Sequence, residues 1–181
     1  PLIVMGTDFV VTGSYTWSSF IASLAPFFLV NDLLLLNQFP DVDADQMAAR
    51  KHYPIAIGRR PSSLIYGAFT LLGFLTIIVG GASGVLPPGV LVALVNLSLA
   101  LPASIGAYRH ARETEKLMPH LKLNAVISVT TPVLMAVGLM TLGLTKIVGR
   151  FDLNPNAAVL MILIAATVVA IAYDQRFAFA V

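Results

Sequence analysis

The fold this sequence predicts is all-α: a polytopic transmembrane helix bundle with about five complete spans and a partial one at the N-terminus. Three observations predict it. Of 181 residues, 57% are hydrophobic and only 11% are charged, whereas a soluble domain carries about one quarter charged residues. The apolar residues form runs close to the roughly 20 that a helix needs to cross a bilayer. Glycine, proline and clusters of charge separate those runs, as turns between spans require.

The rest of the composition narrows the function classes. The net charge is only +2 and the basic residues fall in short loops, so nucleic acid is excluded as a partner. Cysteine is absent, which removes disulfides, thiolate metal sites and a cysteine nucleophile. The chain opens on Pro1 with neither a charged leader nor a signal peptide. It reads as the C-terminal part, residues 1–181, of one transmembrane domain whose N-terminal helices are absent.

Taken in order, residues 1–11 are apolar but too short to span and read as the tail of an earlier helix. Thr12-Gly13-Ser14 breaks that run, and Ser14 or Thr16 is positioned to cap the next helix. Residues 17–39 form the first complete span, with Pro26, Asn31 and Asp32 inside it. Pro61 opens a second span, to about residue 79, since proline is best tolerated in a first turn. Pro87-Pro88 opens a third, residues 89–107. Residues 108–122 alternate in charge and suggest a short interfacial helix. A fourth span covers residues 124–144, with Pro132 as a kink, and a fifth covers 157–173. The loops after the first and third spans are basic, and the loop after the second has no Lys or Arg. By the positive-inside rule, the first and third loops face the cytoplasm.

The first of those loops holds the densest polar cluster: Asn37-Gln38-Phe39-Pro40-Asp41-Val42-Asp43-Ala44-Asp45, then Arg50-Lys51-His52-Tyr53 and Arg59-Arg60. Asn37, Asp41 and Asp45 stand at i, i+4 and i+8, which on one continuous helix stacks them along one face; Asp43 falls off it. Carboxylates so placed can share Mg²⁺, a hard cation that keeps waters for a phosphate to displace. Arg and Lys suit the anion that the metal brings. Acid and base together read as a diphosphate site; a solvated, topology-setting loop is the plainer alternative.

Residues 37–58, NQFPDVDADQMAARKHYPIAIG, resemble the second aspartate-rich motif of the UbiA superfamily of intramembrane prenyltransferases. The wording is most similar to the branch that prenylates 1,4-dihydroxy-2-naphthoate in menaquinone biosynthesis. Gly6-Thr7 through Thr12-Gly13 and Trp17 resemble the segment before the motif in that branch. The resemblance implies a helical bundle of nine transmembrane helices around a cavity, with two aspartate-rich motifs facing each other on cytoplasmic loops. Mg²⁺ held there grips the diphosphate of a polyprenyl donor, and an aromatic ring captures the allylic cation. By the same resemblance, Asn37, Asp41 and Asp45 hold Mg²⁺, with Asp41 and Asp45 catalytic, and Arg50 and Lys51 pair with the prenyl diphosphate. The partners implied are a polyprenyl diphosphate, an aromatic acceptor and the bilayer of the cell membrane. The first aspartate-rich motif is absent from these residues, so the fragment alone is expected to be inactive. Two positions depart from the family: Ala49 stands where glycine is common, and His52 where threonine is common.

Several residues carry separate expectations. Asp32, nine positions before Asp41, points away from that site and reads either as an interhelical partner or as a functional group. Asn31 and Asn96 read as interhelical hydrogen-bonding residues, and Tyr66 as an aromatic anchor at the interface. Gly73, Gly80, Gly81 and Gly138 read as packing glycines. His52, His110 and His120 read as loop histidines, with contact to diphosphate or work as a base the functional alternative for His52. Within the family reading, other acceptors are a 4-hydroxybenzoate-like ring or a lipid. Outside it stand a fragment of a cation transporter, which would place its coupling residues near mid-membrane, and a non-catalytic scaffold.

Overall fold

Helices make every element of the computed structural model, which describes residues 1–148. In chain order they are α1 (Leu2–Thr12), α2 (Trp17–Asn37), α3 (Val42–Met47), α4 (Tyr53–Ala56), α5 (Arg59–Ala82), a 3-10 segment (Pro88–Asn96) continuing into α6 (Leu97–Arg109), and α7 (Thr114–Val148). Four of these are long and apolar enough to cross a membrane: α2, α5, the 3-10 segment with α6, and α7. The protein is an integral membrane protein. The span expected at 157–173 lies outside the described residues.

The entry to α2 is built from short-range polar contacts. Gly13 closes α1 in the left-handed conformation (φ 75°), which glycine adopts without steric penalty. Thr16 then caps α2, its hydroxyl accepting from Ser19 N at 3.1 Å. Asp8 on α1 accepts from the Thr16 amide and hydroxyl at 3.1 and 2.8 Å, tying α1 to the cap.

Two expectations about the later helices need correction. The region 108–122 is not a separate interfacial helix: only a short turn follows Arg109, and Thr114 already begins α7, which continues through Pro119 and Pro132. Prolines inside membrane helices are tolerated because neighbouring groups satisfy the freed carbonyls. The third span starts as a 3-10 helix rather than an α-helix. Pro87 and Pro88 remove two backbone donors, and the tighter winding rises about 2 Å per residue instead of 1.5 Å.

Helix α2 packs against α5 and α7, and the 3-10 segment and α6 pack against α7 and α5. The larger core cluster, with Leu29, Phe74, Ile77, Val90, Ile127 and Met135, fills the body of the bundle. A second one, with Leu36, Phe39, Tyr66, Ala107, Leu117 and Leu121, lies at the end where the acidic loop attaches. Polar side chains join the helices. Asn96 donates to Thr130 and Thr131, both at 2.8 Å, which bears out its expected role. Among the described residues Asn31 does not join helices; its amide donates back to Phe27 O at 2.7 Å, one turn earlier on α2.

Small residues set the helix separations, as expected. A Cβ on Gly80 would meet the flexible end of Leu86, whereas one on Gly138 would run into the backbone of Gly89 and Val90. A leucine tip can rotate aside and a backbone cannot. Gly138→Ala is therefore expected to destabilise the bundle by about 1–3 kcal/mol despite alanine's better helix propensity, and Gly80→Ala by less. Thermal unfolding of the two variants in the same detergent checks the order.

Candidate functional site

The acidic loop does not continue α2. Pro40 lacks an amide proton and disfavours helical geometry at Phe39, so α2 ends at Asn37 and residues 38–41 form a turn. Phe39 drops into the second core cluster at 1% exposure, and buried Val42 anchors the start of α3. Asp41 sits at the N-cap of α3 with φ −90° and ψ 1°. The expected single helical face through Asn37, Asp41 and Asp45 is therefore interrupted. Asp41 and Asp45 remain one turn apart, with Asp45 N donating to Asp41 O at 2.8 Å. Asn37 belongs to the end of α2.

Asp45 is the most engaged residue of the loop. Arg50 Nη1 donates to its Oδ1 at 2.8 Å, and His52 Nε2 lies 3.0 Å from Oδ2. A carboxylate can only accept, so Nε2 is the protonated nitrogen of that contact. The Arg50 amide also donates to Asp45 O at 3.0 Å. His52 is thus not a solvated loop histidine; its side chain is largely buried. Asp43 leaves the cluster, as expected, and pairs with Arg59 at 3.3 Å. Asn37, Asp41 and Lys51 are exposed and hold no side-chain partner among the described residues.

Backbone conformation explains two positions of the motif. Ala49 has φ 55°, a region that L-residues enter at a cost of about 1–2 kcal/mol. The turn after α3 thus suits the glycine found there in the resembling family. Gly58 adopts φ 93° and ψ 157°, a conformation essentially restricted to glycine, and it turns the chain into α5 so that Arg59 and Arg60 follow at once. Arg60 lies over the Tyr108 ring at 4.9 Å, linking the loop to the end of α6. Beyond Tyr108, Lys116 bonds Glu113 at 2.6 Å. That hydrogen bond and the lysine's charge hold the Glu113 carboxyl below its ordinary range. The small stabilisation is present at neutral pH and is lost as acid protonates the carboxylate.

Beneath the loop, one turn and more into the bundle, Asp32 is fully buried. The Thr70 hydroxyl donates to its Oδ2 at 2.7 Å. Asn124 donates to Asp32 O at 3.2 Å and accepts from the Tyr66 hydroxyl at 3.3 Å, and Ser128 donates to Leu29 O at 3.0 Å. Asp32 is therefore an interhelical partner joining α2, α5 and α7. Tyr66 is a core residue at 1% exposure rather than an interface anchor. Across the bundle end, His110 and His120 stack with ring centroids 5.9 Å apart. His120 is helical, on α7, and covers Gly106.

Two stability outcomes follow. Ala49→Gly is expected to raise stability by about 0.5–1 kcal/mol through relief of the left-handed turn. Thr70→Val is expected to cost about 1–3 kcal/mol, because it leaves buried Asp32 without its donor, while Thr70→Ser stays near wild type. Denaturation midpoints in one detergent and at one pH test both.

No curated protein and no solved structure matches the chain. The model of the UbiA prenyltransferase family does, over residues 1–126, from the first residue into α7. The matched stretch contains the acidic loop with its Asp45–Arg50–His52 cluster, three of the four spanning helices in full, and most of the buried network beneath. By that match the chain belongs to the UbiA prenyltransferase family, whose chemistry is prenyl transfer to aromatic acceptors within the membrane.

Proposed function

We propose that the chain carries the second acidic motif of an Mg²⁺-dependent enzyme that transfers a polyprenyl group from an allylic diphosphate to 1,4-dihydroxy-2-naphthoate, in menaquinone biosynthesis. The observation that supports this reading best is the joining of acid and base within one loop. Asp45 contacts Arg50 and His52, Asp41 lies one turn away, and Lys51 and Arg59 stand close by in the chain. The naphthoate branch rests on the NQFPD wording followed by the basic pair Arg50-Lys51.

The residues present fit a hard divalent cation. Asn37, Asp41 and Asp45 offer only oxygen as ligands, and the side chains of the first two are exposed and hold no partner among the described residues. Among the described residues no group of three or more His, Cys, Asp or Glu side chains is gathered closely enough to hold a metal ion. When bound, Mg²⁺ supplies positive charge against the leaving diphosphate.

The chain's own residues do the rest. Arg50 and Lys51 pair with diphosphate oxygens where negative charge grows as the allylic C–O bond breaks. The turn at Pro40 and the buried Phe39 hold the acidic residues at the mouth of the bundle, and the apolar spans accept the prenyl tail. The loop faces the cytoplasm, as its positive charge directs, with the protein in the cell membrane.

Membranes carrying the full-length protein, given a labelled polyprenyl diphosphate and 1,4-dihydroxy-2-naphthoate, are expected to form Mg²⁺-dependent prenylated product. Asp41→Ala and Asp45→Ala are each expected to lower the rate by about 100-fold or more, the scale of losing one charge-stabilising group. Product with a different ring alone would move the acceptor assignment. Undiminished activity in both variants would remove the loop from the site.

A further inference from the structure

We propose that His52 is a positioning residue for Asp45: it fixes one carboxylate oxygen so that the other faces the cation, and Arg50 is a displaceable cover on that second oxygen. The inference deepens the reading above and rests on Asp45 meeting a divalent cation.

The two partners of Asp45 differ in kind. The side chains of His52 and Asp45 are 12% and 13% exposed, and that of Arg50 is 70% exposed. The backbone that carries the imidazole is also held. His52 has extended backbone (φ −150°, ψ 170°) and caps α4. Its carbonyl accepts from Ile55 N and Ala56 N at 3.1 and 2.9 Å, and Pro54 of the same short helix is buried. The backbone of Asp45 is fixed equally, since its amide and carbonyl are both bonded within α3 and its closing turn. Ring and carboxylate therefore meet as two largely buried groups, each carried on an anchored stretch of backbone.

A carboxylate with both oxygens free turns about its terminal torsion and offers a cation no set direction. With Oδ2 held by a buried N–H, Oδ1 has one. This is how outer hydrogen bonds tune metal ligands generally, and their loss typically lowers affinity by about 10–100-fold. Arg50 occupies Oδ1 at 2.8 Å, but an exposed ion pair of this type is weak. A divalent cation can displace it, and the released guanidinium has a bidentate partner in diphosphate. Cation and anion would then bind in support of one another, with Arg50 passing from Asp45 to the anion.

The test uses Mn²⁺ as the probe, on full-length protein in lipid nanodiscs, with binding read from loss of the free-ion EPR signal. His52→Leu is expected to weaken Mn²⁺ binding about tenfold or more. His52→Gln, whose amide nitrogen reaches the place of Nε2, is expected to restore it, and the shorter His52→Asn is not. The Gln and Asn comparison decides the matter should the Leu variant not fold. Arg50→Ala is expected to tighten binding of Mn²⁺ alone by more than Lys51→Ala does, and to abolish the enhancement by inorganic pyrophosphate. Wild-type affinity in His52→Leu, or equal affinity in the Gln and Asn variants, overturns the role of His52. If Asp45→Asn still loses Mn²⁺ in that case, the metal reading survives. Wild-type affinity in Asp45→Asn overturns both.

Discussion

A single carboxylate, that of Asp45, gathers the polar end of this bundle. Its oxygens hold Arg50 and His52, and its backbone amide and carbonyl tie Asp41 to the turn that leads to Arg50. Little else in the loop is long enough to be stable alone: α3 has six residues and α4 has four, far below the length at which an isolated helix persists in water. The loop keeps its form because Phe39, Val42 and Pro54 are buried against the bundle while Asp45 cross-links its two halves. Hydrophobic anchoring and one charge-assisted centre together give the loop its form.

Beneath it, a second polar assembly works differently. Asp32, Thr70, Tyr66 and Asn124 are buried between three spans, where apolar side chains gain little from leaving lipid for one another. Interhelical hydrogen bonds and close-packed small residues specify helix pairing in that setting. The network fixes the relative placement of α2, α5 and α7, and so the distance between the loop at the end of α2 and the arginines at the start of α5. The Arg60–Tyr108 contact extends that frame to α6.

Much of this was legible in the residues. Long apolar runs and their Gly and Pro punctuation locate α2, α5 and α6, because span length is imposed by the bilayer rather than by tertiary detail. Spacing alone misled at Asn37–Asp41–Asp45, where Pro40 stops the helix that the i, i+4 pattern presumes; the proline was the available signal. Tyr66 looked like an anchor because its partner, Asn124, lies 58 positions away, and no local pattern announces such a contact. His52 looked solvated for a related reason. It follows the left-handed turn at Ala49 and meets Asp45, seven positions earlier, with its side chain largely buried. That alanine in a glycine position leaves no trace in hydrophobic periodicity.

The long sequence separations within the Asp32 network bear on how the protein enters its membrane. Asp32 lies in a helix synthesised well before its partners: Thr70 follows by 38 residues and Asn124 by 92. At usual elongation rates that interval is several seconds, during which α2 carries an acidic group that hydrocarbon disfavours. The polar partners of Asp32 arrive in two stages, the Thr70 hydroxyl with α5 and the Asn124 amide with α7. The last polar contact of α2 is thus made only when α7, the latest of the four described spans, has taken its place.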